Sequence, residues 1–285
     1  MTARLDNPHP ETLASTGMQG LDDVLAGGLT PNRLYLLEGV PGSGKTTLAM
    51  QFLMEGVRRG EPVLYVTLLK SEDEMRGVVA SHGWSLEGIT VRELAPSADS
   101  LQPDDQYTMF HPSEVELGET IKTILADEPC PGQFTHAIRQ AVENLGVTIV
   151  VIDSLNGYLD AMPGEKFLVV QLHELLSYLG QRGVATLLIA AHRGLIRSAM
   201  ITPVDASYLA DAVIPMRDCE IKGEVRQAIS VMNKRGGAHG RTIRDFTMES
   251  GGIHTGPPLR EFRGVLTGMP MHEKAEDNLR AGHRP

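Results

Sequence analysis

Cysteines, aromatic residues and long apolar runs are all scarce in this chain of 285 residues. Two cysteines, Cys130 and Cys219, cannot build a disulfide framework, which excludes the small disulfide-rich secreted class. The longest apolar run, near Val184–Ala191, is interrupted by Thr186 and is shorter than the ~18 residues that span a bilayer. Residues 1–11 are polar and lack the apolar core of a signal peptide. These absences predict a cytoplasmic protein with no membrane segment.

Positive charge is the minority sign in this chain. Lys and Arg number 26 against 36 Asp and Glu, so the formal net charge is -10. Basic charge dominates affinity for the nucleic-acid backbone, and this balance therefore disfavours a protein that lives on nucleic acid. It leaves room for a local basic groove.

Strand-like and helix-like segments alternate through the first two thirds of the chain. Short apolar runs typical of buried parallel strands occur at Leu34–Glu38, Pro62–Leu68, Ile89–Leu94, Val147–Ile152 and Val184–Ala190. Helical spacing of apolar residues separates them, at Leu48–Arg59, Glu72–His82 and Phe167–Leu179. The alternation predicts an α/β fold with a mainly parallel central sheet flanked by helices.

The last third of the chain has a different pattern. Helical spacing is lost there, and short turns separate strand-like segments at Asp211–Met216, Arg226–Asn233 and Arg241–Met248. These segments predict antiparallel strands added to the parallel core. Elsewhere, residues 95–112 predict a long surface loop, and a capping box at Ser113 predicts a helix. The prolines and glycine of Glu128–Gly132 predict a second break in the chain, and the polar tail from Met271 is expected to be mobile.

One glycine-rich segment carries a specific chemical signal. Residues Gly39–Thr46 fit G-x-x-x-x-G-K-[ST], the phosphate-binding Walker A loop, between a predicted strand and a predicted helix. Glycines let backbone N–H groups turn toward phosphate oxygens, and the helix N-terminus adds its positive dipole end. We expect Lys45 to neutralise phosphate oxygens and Thr46 to bind Mg²⁺. The predicted nucleotide-contacting residues are Gly39, Pro41, Gly42, Ser43, Gly44, Lys45, Thr46 and Thr47.

An acidic residue at the end of a later strand strengthens this prediction. The apolar run Val147–Ile152 is followed by Asp153, as in a Walker B strand, whose carboxylate lies near the Mg²⁺ ion. An ordinary turn after a buried strand is the alternative. Since the run follows a Walker A pattern, Asp153 is predicted as the second metal ligand beside Thr46.

These features together resemble the KaiC-like ATPases of the RecA superfamily, the family of the circadian clock proteins. The resemblance runs from a leader at Thr16–Leu29, through the Walker A loop and Asp153, to Lys234-Arg235-Gly236. It implies a RecA-type P-loop core over residues 14–256, with an N-terminal extension at 1–13 and a C-terminal extension and tail at 257–285. It also implies that ATP and Mg²⁺ are held at the subunit interfaces of a homo-oligomeric ring, usually a hexamer.

The sequence departs from the family pattern where a catalytic base is expected. In the family, the strand after the Walker A helix ends in one or two glutamates that polarise the attacking water, whereas this chain has Leu69 and Lys70 there. A lysine is cationic at neutral pH, and loss of a positioned base typically costs ~10²–10⁴-fold in rate. Two alternatives remain open: Glu72, Asp73 or Glu74 replaces the base, or Lys70 is a solvated loop residue.

A second departure concerns the residues that a neighbouring subunit would point at the γ-phosphate. The family pattern is Lys-x-Arg with a His four residues after the Arg. Arg235 and His239 fit it, so the resemblance implies that both act in trans, but Asn233 fills the lysine position. Lys234 is adjacent, yet neighbouring strand residues point to opposite faces, so it cannot simply substitute.

Three functions are compatible with these motifs. The first is an active ATPase ring. The second is an ATP-binding ring with slow or impaired hydrolysis that acts in signalling or regulation through signalling or clock-type partner proteins; Lys70 and Asn233 favour it. The third, a recombinase-like DNA-binding ATPase, is disfavoured because the loop at Asn156–Glu165 has no Lys or Arg. The segment Asn156–Leu176 also has no Ser or Thr, which argues against autophosphorylation there.

Histidine offers two further candidates for function. His173-Glu174 begins like the zinc motif H-E-x-x-H, but Ser177 closes it, so a helix-surface histidine is expected. His192 and Arg193 follow a core strand and are either γ-phosphate sensors or plain loop residues.

Overall fold

A nine-stranded sheet organises the residues that the structure describes. The structure is a computed structural model, and it describes residues 12–67, 70–93, 131–156, 165–191, 207–221, 223–267 and 271–272. The predicted loop at 95–112, the predicted helix after Ser113, most of Asn156–Glu165, and His192 with Arg193 lie outside these residues.

Helices and strands alternate in the first part of the chain, as predicted. The helices are α1 (Gln19–Leu25), α2 (Lys45–Arg58), α3 (Glu72–Ser81), α4 (Pro131–Leu145) and α5 (Glu165–Gln181). The strands between them are β1 (Leu34–Gly39), β2 (Val63–Thr67), β3 (Ile89–Glu93), β4 (Ile149–Asp153) and β5 (Ala185–Ala191).

The C-terminal part is made of strands. They are β6 (Ala212–Ile221), β7 (Glu224–Ile229), β8 (Arg244–Glu249), β9 (Gly252–Pro258), β10 (Phe262–Arg263) and β11 (Met271–His272), with a short 3₁₀ helix at Val265–Thr267. The last two strands pair with each other in a separate two-stranded sheet.

The strand order β3-β2-β4-β5-β1-β6-β7-β8-β9 brings the parallel and antiparallel parts into one sheet. The strands from β3 to β6 pair in parallel, and those from β6 to β9 are antiparallel. The long strand β6 belongs to both parts, because Ala212–Pro215 pairs with β1 and Met216–Ile221 pairs with β7. The predicted α/β fold with added antiparallel strands is therefore confirmed.

Two apolar layers cover the two faces of the sheet. On one face, buried residues of α2 such as Phe52 and Leu53 pack against Leu37 and Val151. On the other, residues of α4 and α5 pack against the alternate strand positions, among them Leu36 and Val150. Burial on both faces explains the near-continuous apolar strands, which are typical of a parallel sheet.

The segment before β1 is held by the half-buried carboxylate of Asp22. Asp22 accepts hydrogen bonds from the Ser15 hydroxyl (2.7 Å), the Thr16 amide (2.8 Å) and the Thr16 hydroxyl (2.7 Å). The leader also joins the C-terminal strands, since the Gly20 amide donates to the Thr255 hydroxyl at 3.1 Å. The first helix is thereby tied to both ends of the domain.

The sequence patterns do not predict helices α1 and α4, strand β9, or the short strands β10 and β11. The segment Glu128–Gly132 was interpreted as a helix breaker, but α4 begins at Pro131, and proline is favoured at the first position of a helix because its missing N–H is not needed there. None of the helices in the described residues has the length and apolar character needed to span a membrane.

Candidate nucleotide-binding site

The predicted phosphate loop forms a turn between β1 and α2. Gly42 (φ 82°) and Gly44 (φ 91°) adopt left-handed backbone conformations that glycine tolerates best. A Cβ on Gly39 would lie 2.4 Å from the Ser43 hydroxyl oxygen and 2.9 Å from the Met216 carbonyl oxygen. The glycines therefore permit this close turn, and α2 begins directly after it with no side-chain cap on its first N–H groups. Those groups remain suited to binding an anion.

Lys45 lies inside the loop. Its ammonium donates to the carbonyl oxygens of Gly39 (2.9 Å) and Val40 (2.7 Å). Burial lowers the pKa of Lys45 to about 8, an effect that Asp153 opposes and the nearby Lys70 ammonium reinforces. The loop thus holds a desolvated cation, whose attraction for a phosphate is stronger than in bulk water.

Thr46 and Asp153 meet across the sheet edge. The Thr46 hydroxyl donates to Asp153 Oδ2 at 3.0 Å, although 107 residues separate the two in sequence. Asp153 ends β4, which is separated from β1 by β5 in the strand order, and its peptide bond to Ser154 is cis. The structure therefore brings together the two predicted metal ligands.

Tyr65 is a third member of this group, which the sequence analysis missed. Its buried hydroxyl donates to Asp153 Oδ2 at 2.6 Å. Burial, together with the negative charge of Asp153, raises the pKa of Tyr65 above its usual range. A tyrosine in the middle of a buried apolar strand is a signal in the sequence, because its hydroxyl needs a partner there.

Lys70 also points into this group. Its ammonium donates to the Thr46 hydroxyl oxygen at 3.0 Å and lies 3.5 Å from Asp153 Oδ2. In the sheet register Thr67 is paired with Asp153, so β2 ends beside Asp153. Lys70 therefore contacts both predicted metal ligands through a side chain that is only partly exposed.

The acidic residues after Lys70 are directed elsewhere. Glu74 completes the capping box of α3, accepting from the Ser71 amide at 3.1 Å while its own amide donates to the Ser71 hydroxyl. Glu72 forms an ion pair with Arg76 on the helix surface, and the Asp73 side chain is exposed. These positions give no support to the alternative that one of the three replaces the missing base.

The oxygen pair of Thr46 and Asp153 fits a divalent cation. Both are the hard oxygen donors that Mg²⁺ prefers, and Mg²⁺ is usually bound by one or two such protein groups together with phosphates and water. The Lys70 ammonium already contacts both oxygens, so the space beside them accepts a positive charge. Bound there, Mg²⁺ would neutralise phosphate charge. No group of three or more His, Cys, Asp or Glu side chains arranged for a metal occurs in the described residues.

The Thr47 side chain turns away from the phosphate loop. Its hydroxyl lies 3.3 Å from His82 Nε2, and His82 Nδ1 lies 3.1 Å from the Glu249 carbonyl oxygen. The His82 ring stacks near Trp84, with centroids 4.9 Å apart. This contact joins α2 to the end of α3 and to β8, so Thr47 can meet a nucleotide through its backbone only.

Arg235 lies at the far edge of the sheet, which is the edge where β1 begins, opposite the edge that carries the phosphate loop. Its amide donates to the Asp211 carbonyl (2.7 Å), and the Asp211 amide donates to the carbonyl of Leu34, where β1 begins. The Arg235 guanidinium donates to the Tyr208 carbonyl. The phosphate loop follows the other end of β1, and six strand residues span about 16 Å. Arg235 is thus not brought together with Lys45, Thr46 and Asp153 of its own chain.

The residues around Arg235 are also on this far edge. Asn233 is exposed with φ 55°, and His239 precedes Gly240, whose amide donates to the Val24 carbonyl at 2.7 Å. Lys234 is bound within the chain, donating to the carbonyls of Leu25 (2.7 Å) and Ala238 (3.3 Å). Burial lowers the pKa of Lys234. Residues 233–235 lie outside the strands, so the expected alternation of strand faces does not apply there, and the Lys234 ammonium is instead engaged by these two carbonyls.

Strand β5 lies between β1, which leads into the phosphate loop, and β4, which ends at Asp153. This strand order, together with the loop and the Thr46–Asp153 contact, defines a P-loop NTPase with a RecA-like core. The family described as "ATPase: KaiC" matches residues 14–260. The chain belongs to the KaiC ATPase family.

Individual relatives agree with this assignment. A UPF0273 protein of Methanopyrus kandleri is 29% identical over 85% of this chain and 91% of its own length. Circadian clock protein KaiC3 of Synechocystis is 24% identical over 94% of this chain, and the clock oscillator protein KaiC of Picosynechococcus is 23% identical over 96%. The chain spans about half the length of these two clock proteins, 48% and 49%.

Proposed function

We propose that this protein binds Mg-ATP at the interface between copies in a homo-oligomeric ring, hydrolyses it slowly, and acts in the cytoplasm as a regulatory module through partner proteins. The phosphate loop with Lys45, and the metal ligands Thr46 and Asp153, form the half of the site that one chain supplies. Arg235 and His239 of a neighbouring copy form the other half.

One observation supports the slow hydrolysis: the Lys70 ammonium contacts Thr46 and Asp153, at the position where the family resemblance implies a carboxylate. A protonated lysine cannot accept a proton from the attacking water. The neighbouring acids Glu72 and Glu74 are engaged on the helix surface and in its cap. With no positioned base, hydrolysis is expected ~10²–10⁴-fold below that of an active relative.

The ring is supported by the position of Arg235 in a single chain. Arg235 lies beside the start of β1, some 16 Å along that strand from the phosphate loop, so we expect it to act on the site of another copy. Closed rings with head-to-tail interfaces bring two different surfaces of the same chain together at every contact. A hexamer is the state that we expect.

Phosphate release from the purified protein at saturating Mg-ATP tests the proposal. Lys70→Glu supplies the family's carboxylate, and we expect it to raise turnover at least about tenfold, because a positioned base contributes ~10²–10⁴-fold. The matched control is Lys70→Gln, which removes the same ammonium without supplying a base. It should leave turnover close to that of the unaltered protein.

Two results would contradict the slow-hydrolysis proposal. One is unaltered protein that already turns over as fast as an active relative and loses that activity on Lys45→Ala, which would indicate a fully active ATPase. The other is an equal gain from Lys70→Glu and Lys70→Gln, because the lysine would then inhibit through its charge and not through the lack of a base. A strict monomer at saturating Mg-ATP, in light scattering, would contradict the ring.

A further inference from the structure

We propose that Lys70 is a tethered cation that competes with Mg²⁺ for the oxygen pair of Thr46 and Asp153, so that this site takes nucleotide with unusually little dependence on divalent metal. The inference rests on the proposed nucleotide binding at the phosphate loop. It adds a regulatory property of that site that the missing catalytic base does not itself imply.

The geometry of three atoms carries the argument. Lys70 Nζ lies 3.0 Å from Thr46 Oγ1 and 3.5 Å from Asp153 Oδ2, and those two oxygens are 3.0 Å apart. Because the Thr46 hydroxyl donates its proton to Asp153, its lone pairs face the Lys70 ammonium. The ammonium therefore uses the same two oxygens that a divalent ion would use, and both cannot bind them at once.

Lys70 is held in place by its backbone. The Lys70 amide donates to the Thr67 hydroxyl oxygen at 3.0 Å, and the Thr67 hydroxyl donates back to the Lys70 carbonyl at 2.9 Å. The next residue, Ser71, begins the capping box of α3. The side chain thus extends from a fixed point at the level of Asp153, from which its ammonium reaches the predicted metal ligands.

The charges around Asp153 make Lys70 the natural counter-ion of the nucleotide-free protein. Tyr65 and Thr46 are neutral donors to Asp153, and the Lys45 ammonium is engaged with the loop carbonyls. Among ion pairs of the described residues, Asp153 takes part in the one with Lys70. The Lys70 side chain is 37% exposed, against 10% for Asp153, so the lysine can leave toward solvent when Mg²⁺ arrives.

The contribution of Lys70 to nucleotide binding should therefore differ with and without Mg²⁺. Without Mg²⁺, the triphosphate keeps its full negative charge, and Lys70 supplies a second cation beside Lys45. With Mg²⁺, the ion takes over that role, and the displaced ammonium contributes little. Since charge-assisted hydrogen bonds are worth roughly ten- to hundredfold in affinity, losing Lys70 should weaken metal-free binding by about that factor and leave Mg²⁺-dependent binding nearly unchanged.

The test compares nucleotide affinity with and without Mg²⁺. A fluorescent ATP analogue is titrated into nucleotide-free full-length protein, once in EDTA and once in excess Mg²⁺. The measured quantity is the Kd in EDTA divided by the Kd in excess Mg²⁺. We expect this ratio to rise about ten- to hundredfold on Lys70→Ala and to stay within about threefold on Lys70→Arg. Arg76→Ala, which removes a positive charge from the exposed face of α3, is the matched control and should leave the ratio unchanged. An equal ratio in Lys70→Ala and unaltered protein would overturn the inference.

A second measurement needs no nucleotide. Mn²⁺, used as a spectroscopic substitute for Mg²⁺, is titrated alone and its bound fraction followed by electron paramagnetic resonance. Lys70→Ala should bind Mn²⁺ at least several-fold more tightly than the unaltered protein, since the competing ammonium is gone, and equal binding would contradict the competition. Failure of the unaltered protein to bind ATP would overturn the proposed function, while the Mn²⁺ result would still decide for or against the role of Lys70. The Thr67 contacts use only the backbone of Lys70, so the variant is expected to fold.

Discussion

The two edges of the sheet hold a lysine and a tyrosine in similar ways but for different chemistry. Lys45, beside the phosphate loop, and Lys234, at the far edge, both donate to two backbone carbonyls, and burial lowers the pKa of each. At the loop edge, a glycine turn, an uncapped helix N-terminus and the Thr46–Asp153 oxygen pair lie beside the lysine, whereas Lys234 lines a cavity with Arg33, Tyr35 and Asp211. The comparison teaches that a lysine held by backbone carbonyls does not by itself identify a phosphate site; the glycine turn and the oxygen pair beside it do.

The edges differ in a second way. At the loop edge Lys45, Thr46 and Asp153 meet within one chain, whereas the Arg235 guanidinium at the far edge donates to the Tyr208 carbonyl, away from those three. This difference is what leads to the proposed ring. The predictions below test it, beginning with the largest expected effect.

Replacing the lysine of each edge should separate binding from folding. Lys45→Ala removes the desolvated ammonium of the loop, and we expect nucleotide affinity to fall at least about a hundredfold, as for the loss of a charged buried contact. Lys234→Ala is the control, and its effect on affinity should stay within about threefold because Lys234 binds only the carbonyls of Leu25 and Ala238. Isothermal titration with Mg-ATP measures both. Equal losses would mean that the two edges do not differ in function.

Arg235→Ala tests whether the far edge serves a neighbouring copy. We expect turnover to fall at least about tenfold with nucleotide affinity nearly unchanged, because an arginine supplied in trans acts on the transition state. Phosphate release should be measured in the Lys70→Glu background, where turnover is expected to be higher.

Mixing two inactive proteins sharpens this test. In an equal mixture of Arg235→Ala and Lys45→Ala chains, about a quarter of the interfaces in a ring pair an intact loop with an intact arginine. Turnover should recover to about a quarter of that of a ring in which every interface is intact. A mixture that stays as inactive as its two components would contradict an interface site.

The smallest expected effect compares one buried tyrosine from each edge. Tyr65 donates to Asp153 at 2.6 Å, while the Tyr35 hydroxyl oxygen accepts from the Thr30 amide at 2.7 Å. Changing either to Phe should lower the free energy of unfolding by about 1–2 kcal/mol, the cost of a lost buried hydrogen bond. Only Tyr65→Phe should also change the Mg²⁺ concentration at half-maximal nucleotide binding, because only Tyr65 contacts a metal ligand. A matching change in Tyr35→Phe would argue against a special role for Tyr65.

Much of the fold could be predicted from local patterns. Apolar runs of strand length identified the five strands from β1 to β5, and the change of pattern after residue 210 identified the antiparallel part. Helix α4 was missed because Pro131 was taken as an end and not as a first helical position. Strand β9 was missed because Gly252–Pro258 contains glycines and prolines, which are uncommon in strands.

The site was predicted in its parts but not in its arrangement. The glycine pattern pointed to Lys45 and Thr46, and a carboxylate after an apolar run pointed to Asp153. Tyr65 could not be assigned to Asp153 from sequence, because 88 residues separate them and their contact depends on β2 lying beside β4. Strand order is decided by packing of the whole sheet, and local periodicity does not contain it.

By itself, the sequence determined the chemical groups: a loop that suits phosphate, two oxygen ligands, and a lysine where the family has a carboxylate. Only the tertiary structure decided that this lysine contacts Thr46 and Asp153 and that Arg235 lies at the far edge of the sheet. The physical reason is that residue types follow from the chain alone, whereas distances between ammonium, hydroxyl and carboxylate arise only when distant strands pair.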